Sequence, residues 1–363
     1  MNASDIARYR LLHQQIALTQ RQSAVEVVAG LGAMQAQDYR GALWSIGLRL
    51  PDATESGIEL AIVERAIVRT WPLRGTLHFV AAADVHWLLA LLTPRIIANS
   101  AHRFRRLELD DKILARGRKL FIRALQGNRQ LTREAMLDLL ERDGISTANL
   151  RGNHILWRLS QEAVICFAAR SGKQHAFALL DEWTTRAKHL ERDAALAELA
   201  RRYFTSHGPA TLQDFVWWTG LKVSDAKAGL DSVSSELARF SVDGRIYWMP
   251  RDLPDRTPSS LTVHLLPGFD EYLLGYKDRS AALDARHAQK IVPGGNGMFL
   301  STLVINGRVA GVWKRVWKKK SIVITALPFA RLKRTEKEAF ATAAERYGQF
   351  VGASISNVGV ESP

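Results

Sequence analysis

The amino-acid sequence predicts an α+β protein in which helical pairs are followed by β-hairpins and a β-rich region ends the chain. Three observations support this class: the recurring pattern of two helices and a hairpin, a composition that is 47% hydrophobic and 24% charged, and a net charge of +14. A helix, a tight turn, a second helix and a hairpin together make a winged helix-turn-helix. The chain has 363 residues, enough for two or three domains with sizeable cores. We therefore expect three tandem winged units at residues 1–125, 126–190 and 191–260, and a β-rich region at residues 261–363.

The first copy of the pattern begins at Ser4, where apolar residues recur at helical spacing. Ser23 and Glu26 have the spacing of a capping box, which predicts the start of a second helix. Further amphipathic helices are predicted at residues 41–50 and 58–67. Residues 68–73 and 76–80 then flank Arg74-Gly75 and predict a hairpin.

The second and third copies carry clearer turn signals. Thr132 is a good N-cap, and Ser171-Gly172 separates the two strands of the second predicted hairpin. In the third copy, Thr211 is predicted to cap a helix that ends at Gly220, since glycine commonly follows a helix C-terminus. Ser224 is predicted to cap the next helix, and Asp243-Gly244 is a strong two-residue hairpin signal.

The C-terminal region reads as an antiparallel meander. Strands are predicted at residues 261–266, 299–305, 309–317 and 321–326, with Asn306-Gly307 as one of the turns. A closing helix is predicted over residues 334–347. The preceding segment Pro293–Gly297 is a flexible loop that suits close approach of its backbone to a ligand.

Positive charge exceeds negative charge, with 50 Lys+Arg against 36 Asp+Glu. Residues 301–363 hold 11 Lys/Arg against 4 Asp/Glu, and residues 95–123 hold 9 against 3. This distribution predicts a polyanionic partner, either nucleic acid or an anionic membrane surface. The alternative is that both stretches are solvated helix faces.

Several classes of function are excluded by the motifs that the sequence lacks. The single cysteine, Cys166, excludes a disulfide framework and a cysteine-based zinc site. We find no metal-binding helix motif, nucleophile elbow or dinucleotide fingerprint, and therefore expect no metal and no cofactor. No apolar run approaches the ~18 residues of a membrane span, and the first residues lack the order of a signal peptide. We expect a cytoplasmic protein without a membrane partner.

One polar segment, Met34-Gln-Ala-Gln-Asp38, joins two predicted helices. In an extended backbone Gln35 and Gln37 project on the same side, and each amide supplies one acceptor oxygen and two donors. Two such amides can position a water or bind the edge of a base, although by composition the segment is a polar loop. Asp270 and Glu271 are adjacent carboxylates after a predicted strand, and adjacent side chains tend to point apart, so we do not expect a shared acid–base site there.

Several separate segments of the chain together resemble one known family. They are Ala33-Met-Gln-Ala-Gln37, Leu43-Trp-Ser45, Val68-Arg-Thr-Trp71, Arg74-Gly-Thr-Leu-His78, Leu265-Leu-Pro-Gly-Phe-Asp-Glu-Tyr-Leu-Leu-Gly-Tyr-Lys-Asp-Arg279, Gly297-Met-Phe299, Val304-Ile-Asn-Gly-Arg-Val309 and Gly311-Val-Trp313. This combination resembles the winged-helix DNA glycosylases that include AlkZ and YcaQ. The resemblance extends from about Leu12 to Phe350, and its motifs are specific in combination.

The resemblance implies three tandem winged helices around a concave basic channel, and excision of N7-alkylated purines from double-stranded DNA, including bases in interstrand crosslinks. It implies that Gln35 and Gln37 are catalytic, because the Gln–apolar–Gln form of the family motif matches here. Asp38 lies one step later, so the aspartate of the other family branch is not transferred to it. No lysine lies near the motif, and the closest basic residue is Arg40, which argues against Schiff-base lyase chemistry.

We assign the remaining predicted site residues to DNA contact. The predicted DNA-binding residues are Arg40, Arg74, His78, Lys314, Arg315, Lys318, Lys319 and Lys320. The predicted loop that engages the lesion or the duplex contains Gly294, Gly295 and Asn296.

We expect a monomer. A winged-helix DNA-binding regulator without catalysis is the main alternative, and a protein-interaction scaffold is a third. The glutamine pair discriminates them, since a regulator does not need it.

Overall fold

The computed structural model describes residues 2–172, 174–184, 188–252, 261–319 and 321–363. The predicted DNA-binding residue Lys320 lies outside these residues. The described helices are α1 Ala3–His13, α2 Ala24–Leu31, α3 Tyr39–Gly47, α4 Glu55–Val63, α5 Val85–Asn99, α6 Ala101–Arg106, α7 Asp111–Leu125, α8 Arg133–Arg142, α9 Arg151–Gln161, α10 Leu180–Trp183, α11 Arg192–His207, α12 Leu212–Thr219, α13 Val223–Val233, α14 Glu271–Leu274, α15 Ala288–Ile291 and α16 Arg334–Val351. The described strands are β1 Met34–Gln35, β2 Ile67–Thr70, β3 His78–Ala81, β4 Leu131–Thr132, β5 Ile165–Ser171, β6 Gln174–Leu179, β7 Leu237–Val242, β8 Arg245–Pro250, β9 Val263–Leu266, β10 Thr302–Ile305, β11 Arg308–Trp317, β12 Ser321–Pro328 and β13 Ser354–Val360.

This mixture of helices and sheets confirms the predicted α+β class. The chain forms two compact units, the first made of Met1–Ile58 with Leu196–Pro363 and the second of Glu59–Ala195. The division into winged units at residues 1–125, 126–190 and 191–260 stays a prediction, although helix pairs followed by hairpins are present. Among the described residues, no helix has the length and apolar character needed to cross a membrane.

Local capping signals place the helices of the first unit. The Thr211 side chain accepts a hydrogen bond from the Asp214 backbone N–H, and the Asp214 carboxylate accepts one from the Thr211 N–H, which completes a capping box at the start of α12. Gly220 ends that helix at φ 72°, a left-handed conformation that glycine adopts without a Cβ penalty. The predicted cap of the next helix was wrong by two residues, since α13 is preceded by Lys222 and Ser224 lies in its first turn.

The predicted C-terminal meander is present and has one additional strand. Strands β9, β10, β11 and β12 pair antiparallel in chain order, and the Asn306-Gly307 turn has φ values of 49° and 85°. Strand β13 was not predicted, and it pairs parallel to β12 beyond the closing helix α16. A parallel edge strand depends on its neighbours in space, so turn signals in the sequence do not reveal it.

Aromatic side chains join α3, α16 and the C-terminal sheet in the first unit. The ring of Trp44 lies 5.2 Å from that of Tyr347, and Trp313 contacts the same tyrosine at 5.1 Å. Both tryptophans also donate hydrogen bonds from Nε1 to the end of β9, Trp44 to the Leu265 carbonyl at 2.7 Å and Trp313 to the Leu266 carbonyl at 2.8 Å. These contacts fix α3, which follows the glutamine motif, against the strand that precedes Asp270.

The second unit contains a sheet in the order β3-β2-β5-β6-β4. Its core includes Phe121, Leu140, Ile155 and Phe177, all fully or almost fully buried. The first predicted hairpin exists, but its strands are shorter than expected and the connection spans residues 71–77. The reason is Trp157, which donates from Nε1 to the Gly75 carbonyl at 3.1 Å and holds the chain as a loop.

Candidate functional site

The glutamine motif forms the link between α2 and α3. Gly32, at φ 81°, ends α2, and the two-residue strand β1 follows. Gln35 is 9% exposed, between the fully buried residues Met34 and Ala36, whereas Gln37 is exposed. The first glutamine is therefore anchored in the protein and the second faces solvent.

Asp38 occupies the N-cap position of α3. It is exposed, has an extended backbone, and makes no side-chain capping bond. The carboxylate of Asp38 lies over the first turn of α3, directly beside Gly41. A Cβ at position 41 would lie only 2.6 Å from Asp38 Oδ2, so glycine leaves the space that the carboxylate occupies. A carboxylate here interacts favourably with the helix dipole, which gives Asp38 a local structural role.

The buried carboxylate of Glu271 lies directly behind Gln35. Its Oε1 accepts a hydrogen bond from the Gln35 backbone N–H at 2.8 Å, and its Oε2 accepts one from Trp218 Nε1 at 2.9 Å. Glu271 and Trp218 are both fully buried. A residue 236 positions along the chain thus fixes the backbone of the predicted catalytic motif.

His207 packs beside the same carboxylate. Its Nδ1 lies 2.8 Å from Ser206 Oγ, and the same hydroxyl lies 2.7 Å from the Arg202 carbonyl. The hydroxyl can donate to either neighbour, so Ser206 is satisfied with the ring proton on either nitrogen; a proton on Nε2 faces Glu271 Oε2 at 3.6 Å. Burial lowers the pKa of His207, against the opposing effect of Glu271.

The neighbouring Asp270 has different partners. It forms a two-pronged salt bridge with Arg49, with both N–O distances at 2.9 Å, and accepts a hydrogen bond from Ser45 Oγ at 2.6 Å. It also caps α14 by accepting from the Tyr272 N–H at 2.9 Å. Asp270 and Glu271 therefore point to separate partners, as expected for adjacent residues.

Sequence reasoning missed the connection between Glu271 and the glutamine motif. The only sequence signal was the position of two carboxylates within the mostly apolar run Gly268–Leu274. Charged residues are rarely buried unless they are paired or hydrogen-bonded, so two acids in such a run indicate a buried polar network. The partners of that network cannot be identified from spacing.

Arg49 connects Asp270 to the first helix. It donates from Nε to the Gln14 carbonyl at 3.0 Å and from Nη2 to Gln14 Oε1 at 2.9 Å. Gln14 in turn donates from Nε2 to the Tyr276 hydroxyl at 3.0 Å. All of these side chains are buried, so a hydrogen-bonded polar layer lies beneath the motif.

The predicted basic residues of the C-terminal sheet lie at one hairpin. Lys314, Lys318 and Lys319 are exposed, and Arg315 is half-buried with its guanidinium 5.5 Å from the Tyr347 ring. Between them Val316 and Trp317 are 54% and 46% exposed. The hairpin between β11 and β12 therefore presents cations and an exposed indole together.

The loop predicted to engage the duplex is exposed, and its two glycines adopt left-handed backbone conformations. Gly294 and Gly295 have φ values of 67° and 64°, and the Asn296 side chain accepts a hydrogen bond from the Met298 N–H at 2.9 Å. Asn296 is exposed, as is Met298 at 54%. The asparagine thus forms an Asx turn that shapes the loop.

The other predicted DNA-binding residues differ in exposure. Arg40 is exposed in the first turn of α3. Arg74 and His78 belong to the second unit, where Arg74 is half-buried at φ 51°. His78 is fully buried, with Nδ1 at 2.9 Å from the Thr76 carbonyl. We therefore leave His78 out of the proposed DNA contacts.

The described part of the chain contains no group of three or more His, Cys, Asp or Glu side chains placed to hold a metal ion. The two buried carboxylates behind the motif are instead held by protein donors. Asp270 binds Arg49, and Glu271 binds Gln35 and Trp218.

Comparison with known proteins identifies the class. The sequence profile of the family described as "DNA glycosylase AlkZ-like" matches residues 28–350. The chain therefore belongs to the AlkZ-like family of DNA glycosylases.

Two relatives illustrate the similarity. The interstrand DNA cross-link repair glycosylase of Streptomyces sahachiroi is 26% identical over 363 aligned positions, which cover 91% of this chain and 93% of the relative. The solved structure of Streptomyces sahachiroi DNA glycosylase AlkZ matches with a TM-score of 0.81 at 22% identity, covering 99% of this chain and 100% of that chain. The second comparison shows a shared fold.

Proposed function

We propose that this DNA glycosylase hydrolyses the N-glycosidic bond of N7-alkylated, cationic purines in double-stranded DNA, including purines held in interstrand crosslinks. Gln35 and Gln37 position the attacking water through their amide oxygens. The observation that carries the proposal is the motif itself, with a glutamine anchored at 9% exposure and a second glutamine exposed two residues later. The cross-link repair name of the Streptomyces sahachiroi relative supports the inclusion of crosslinks.

The chemistry is consistent with a site built from neutral amides. Glycosidic cleavage passes through an oxocarbenium-like sugar, and an ordinary base needs a proton before it can leave. An N7-alkylated purine already carries a positive charge, so it leaves without an acid. Asp270 is only 4% exposed and bound to Arg49, which makes it unsuitable as a general acid.

The DNA contacts we propose are phosphate contacts from exposed cations. Arg40 lies three residues after Gln37, and Lys314, Lys318 and Lys319 are exposed on the hairpin between β11 and β12. The loop containing Gly294, Gly295 and Asn296 is proposed to engage the duplex, because its exposed glycines allow close backbone approach. Arg74 is proposed as a further contact from the second unit.

The test combines excision and binding. We expect Gln35→Ala/Gln37→Ala to abolish release of 7-methylguanine in single-turnover assays, while duplex affinity stays within roughly threefold, since neutral amides contribute little phosphate attraction. The matched control is Gln20→Ala/Gln349→Ala, which removes two exposed glutamines elsewhere in the same unit. Excision by the motif variant at the wild-type rate would overturn the assignment.

A second arm of the experiment compares lesions in one duplex at one salt concentration. We expect clear excision of 7-methylguanine and of N7-linked crosslinks, and little or none of uracil, 8-oxoguanine or 1,N6-ethenoadenine, because those bases are uncharged near neutral pH. Comparable rates for a neutral and a cationic base would reveal a general acid, and Asp38 would then be tested first. Duplex binding with no excision of any lesion would favour the regulator alternative.

A further inference from the structure

We propose that Glu271 is a positioning residue for the glycosylase reaction, which holds the backbone of Gln35 so that both motif glutamines present their amides in the reactive geometry. The inference rests on the proposed roles of Gln35 and Gln37. The observation that carries it is the pair of hydrogen bonds from Glu271 to the Gln35 N–H and to Trp218 Nε1, at 2.8 and 2.9 Å.

The two bonds require a residue with two acceptor oxygens. The donors are a backbone N–H and an indole N–H, and neither of them can act as an acceptor. A carboxylate accepts both bonds, one on each oxygen. The isosteric amide of glutamine has one oxygen only, so one of the two donors would face an NH2 group. Burial makes such an unsatisfied donor costly.

The groups around Glu271 are held tightly, which makes it a rigid support. The Trp218 ring lies 5.1 Å from Tyr203 and 5.2 Å from His207. A Cβ on Gly275 would lie 2.5 Å from His207 Cδ2, so the histidine is packed directly against the turn that follows Glu271. On the motif side, a Cβ on Gly32 would lie 3.4 Å from Trp218 Cη2. Trp218 therefore contacts the chain just before the motif as well as its anchor.

The position of the anchor explains why it affects both glutamines. Gln35 is the last residue of β1, and Gln37 follows it by two residues before α3 begins. A shift of the Gln35 backbone therefore moves both amides together. Misplacement of a positioning group by about 1 Å costs on the order of 100-fold in rate, whereas the exposed cations that would bind DNA are unaffected.

The test uses two single variants and their combination. In Glu271→Gln the amide cannot satisfy both donors, and we expect the single-turnover rate of 7-methylguanine excision to fall roughly 10- to 100-fold. The affinity for the duplex should stay within about threefold. Trp218→Phe leaves Glu271 Oε2 without its indole donor, which costs stability, but it keeps the bond to the Gln35 N–H, so the excision rate should fall less than about fivefold.

The double variant Glu271→Gln/Trp218→Phe provides the decisive rescue. Its amide oxygen can accept from the Gln35 N–H while its NH2 group faces His207 Nε2, which accepts when the ring carries its proton on Nδ1 and donates it to Ser206 Oγ. We expect its rate to return to within about threefold of Trp218→Phe. A double variant that stays as slow as Glu271→Gln, or that does not fold, would overturn the inference.

The matched control is Asp214→Asn. Asp214 is also a buried carboxylate, 1% exposed, and it accepts from the Lys277 and Asp278 N–H groups at 2.9 and 3.1 Å. We expect this control to lower the melting temperature without lowering the rate below the transition. If Glu271→Gln excises at the wild-type rate while Gln35→Ala is inactive, the positioning role of Glu271 is overturned and the proposed function stands. Inactive wild-type protein, or a fully active Gln35→Ala, means that the proposed function itself fails.

Discussion

Removal of two hairpin lysines should flatten the salt dependence of DNA binding by a calculable amount. Five described cations are proposed as phosphate contacts: Arg40, Arg74, Lys314, Lys318 and Lys319. If each neutralises one phosphate, the slope of log K against log salt is about −4.5, since each contact contributes about −0.9. Lys318→Ala/Lys319→Ala removes two contacts and should give a slope of about −2.7. Between 50 and 200 mM salt, affinity should then fall roughly 40-fold instead of roughly 500-fold.

The assay is fluorescence anisotropy with an undamaged duplex at five or more salt concentrations. The control is Lys227→Ala/Lys337→Ala, which removes the same charge from two exposed lysines on α13 and α16. We expect the control to leave the slope near −4.5, because the slope counts local phosphate contacts. An unchanged slope in Lys318→Ala/Lys319→Ala, or an equal change in the control, would refute the placement of this hairpin on DNA.

Two further predictions concern the polar layer and the C-terminal sheet. Arg49→Met leaves the buried Asp270 carboxylate without its cation, so we expect the free energy of unfolding in urea to fall by about 3–5 kcal/mol. Arg49→Met/Asp270→Asn should lose less stability than Arg49→Met. A loss below about 1 kcal/mol in Arg49→Met would contradict the buried pairing. Burial, with the positive charges of Arg346 and Arg49, lowers the pKa of His264 from 6.5 to about 4. Below pH 6.5 His264 therefore binds a proton in the unfolded chain but not in the folded protein. The free energy of unfolding should fall by up to about 3 kcal/mol as the pH drops from 6.5 to 4. His264→Gln should show a flatter pH dependence in the same window, and a parallel curve would exclude His264 as the cause.

Short-range signals predicted much of the secondary structure. Thr211 and Asp214 form the expected capping box, and Asn306-Gly307 and Asp243-Gly244 lie at hairpin turns with positive φ. These features depend on residues within four positions of each other, so their physics is contained in the local sequence. The predicted turn of the first hairpin was wrong, because Trp157, far along the chain, holds residues 71–77 as a loop.

The support of the candidate site could not be predicted from the sequence, because it depends on long-range contacts. The glutamine pair was found by resemblance, and its catalytic role stays a prediction. Its support by Glu271 requires a contact across 236 positions, which no periodicity or spacing encodes. Strand β13 was missed for the same reason, because its parallel pairing with β12 exists only after α16 folds back on the sheet. His78 was selected from the same resemblance, yet it lies buried against the Thr76 carbonyl.

The distribution of charge around the motif gives the proposed chemistry a physical basis. Two carboxylates are buried behind it, where Asp270 binds Arg49 and Glu271 binds two N–H donors, and the exposed carboxylate of Asp38 lies over the first turn of α3. The groups that would meet the substrate are neutral amides, which neither donate a full proton nor ionise a water at neutral pH. Such a site gains rate by placing a water and holding it in line, and it depends on the leaving group for charge. Selectivity for cationic bases then follows from the absence of an acid, and the rate depends on how rigidly Gln35 is held. Both consequences are measured by the lesion comparison and by the Glu271→Gln/Trp218→Phe rescue.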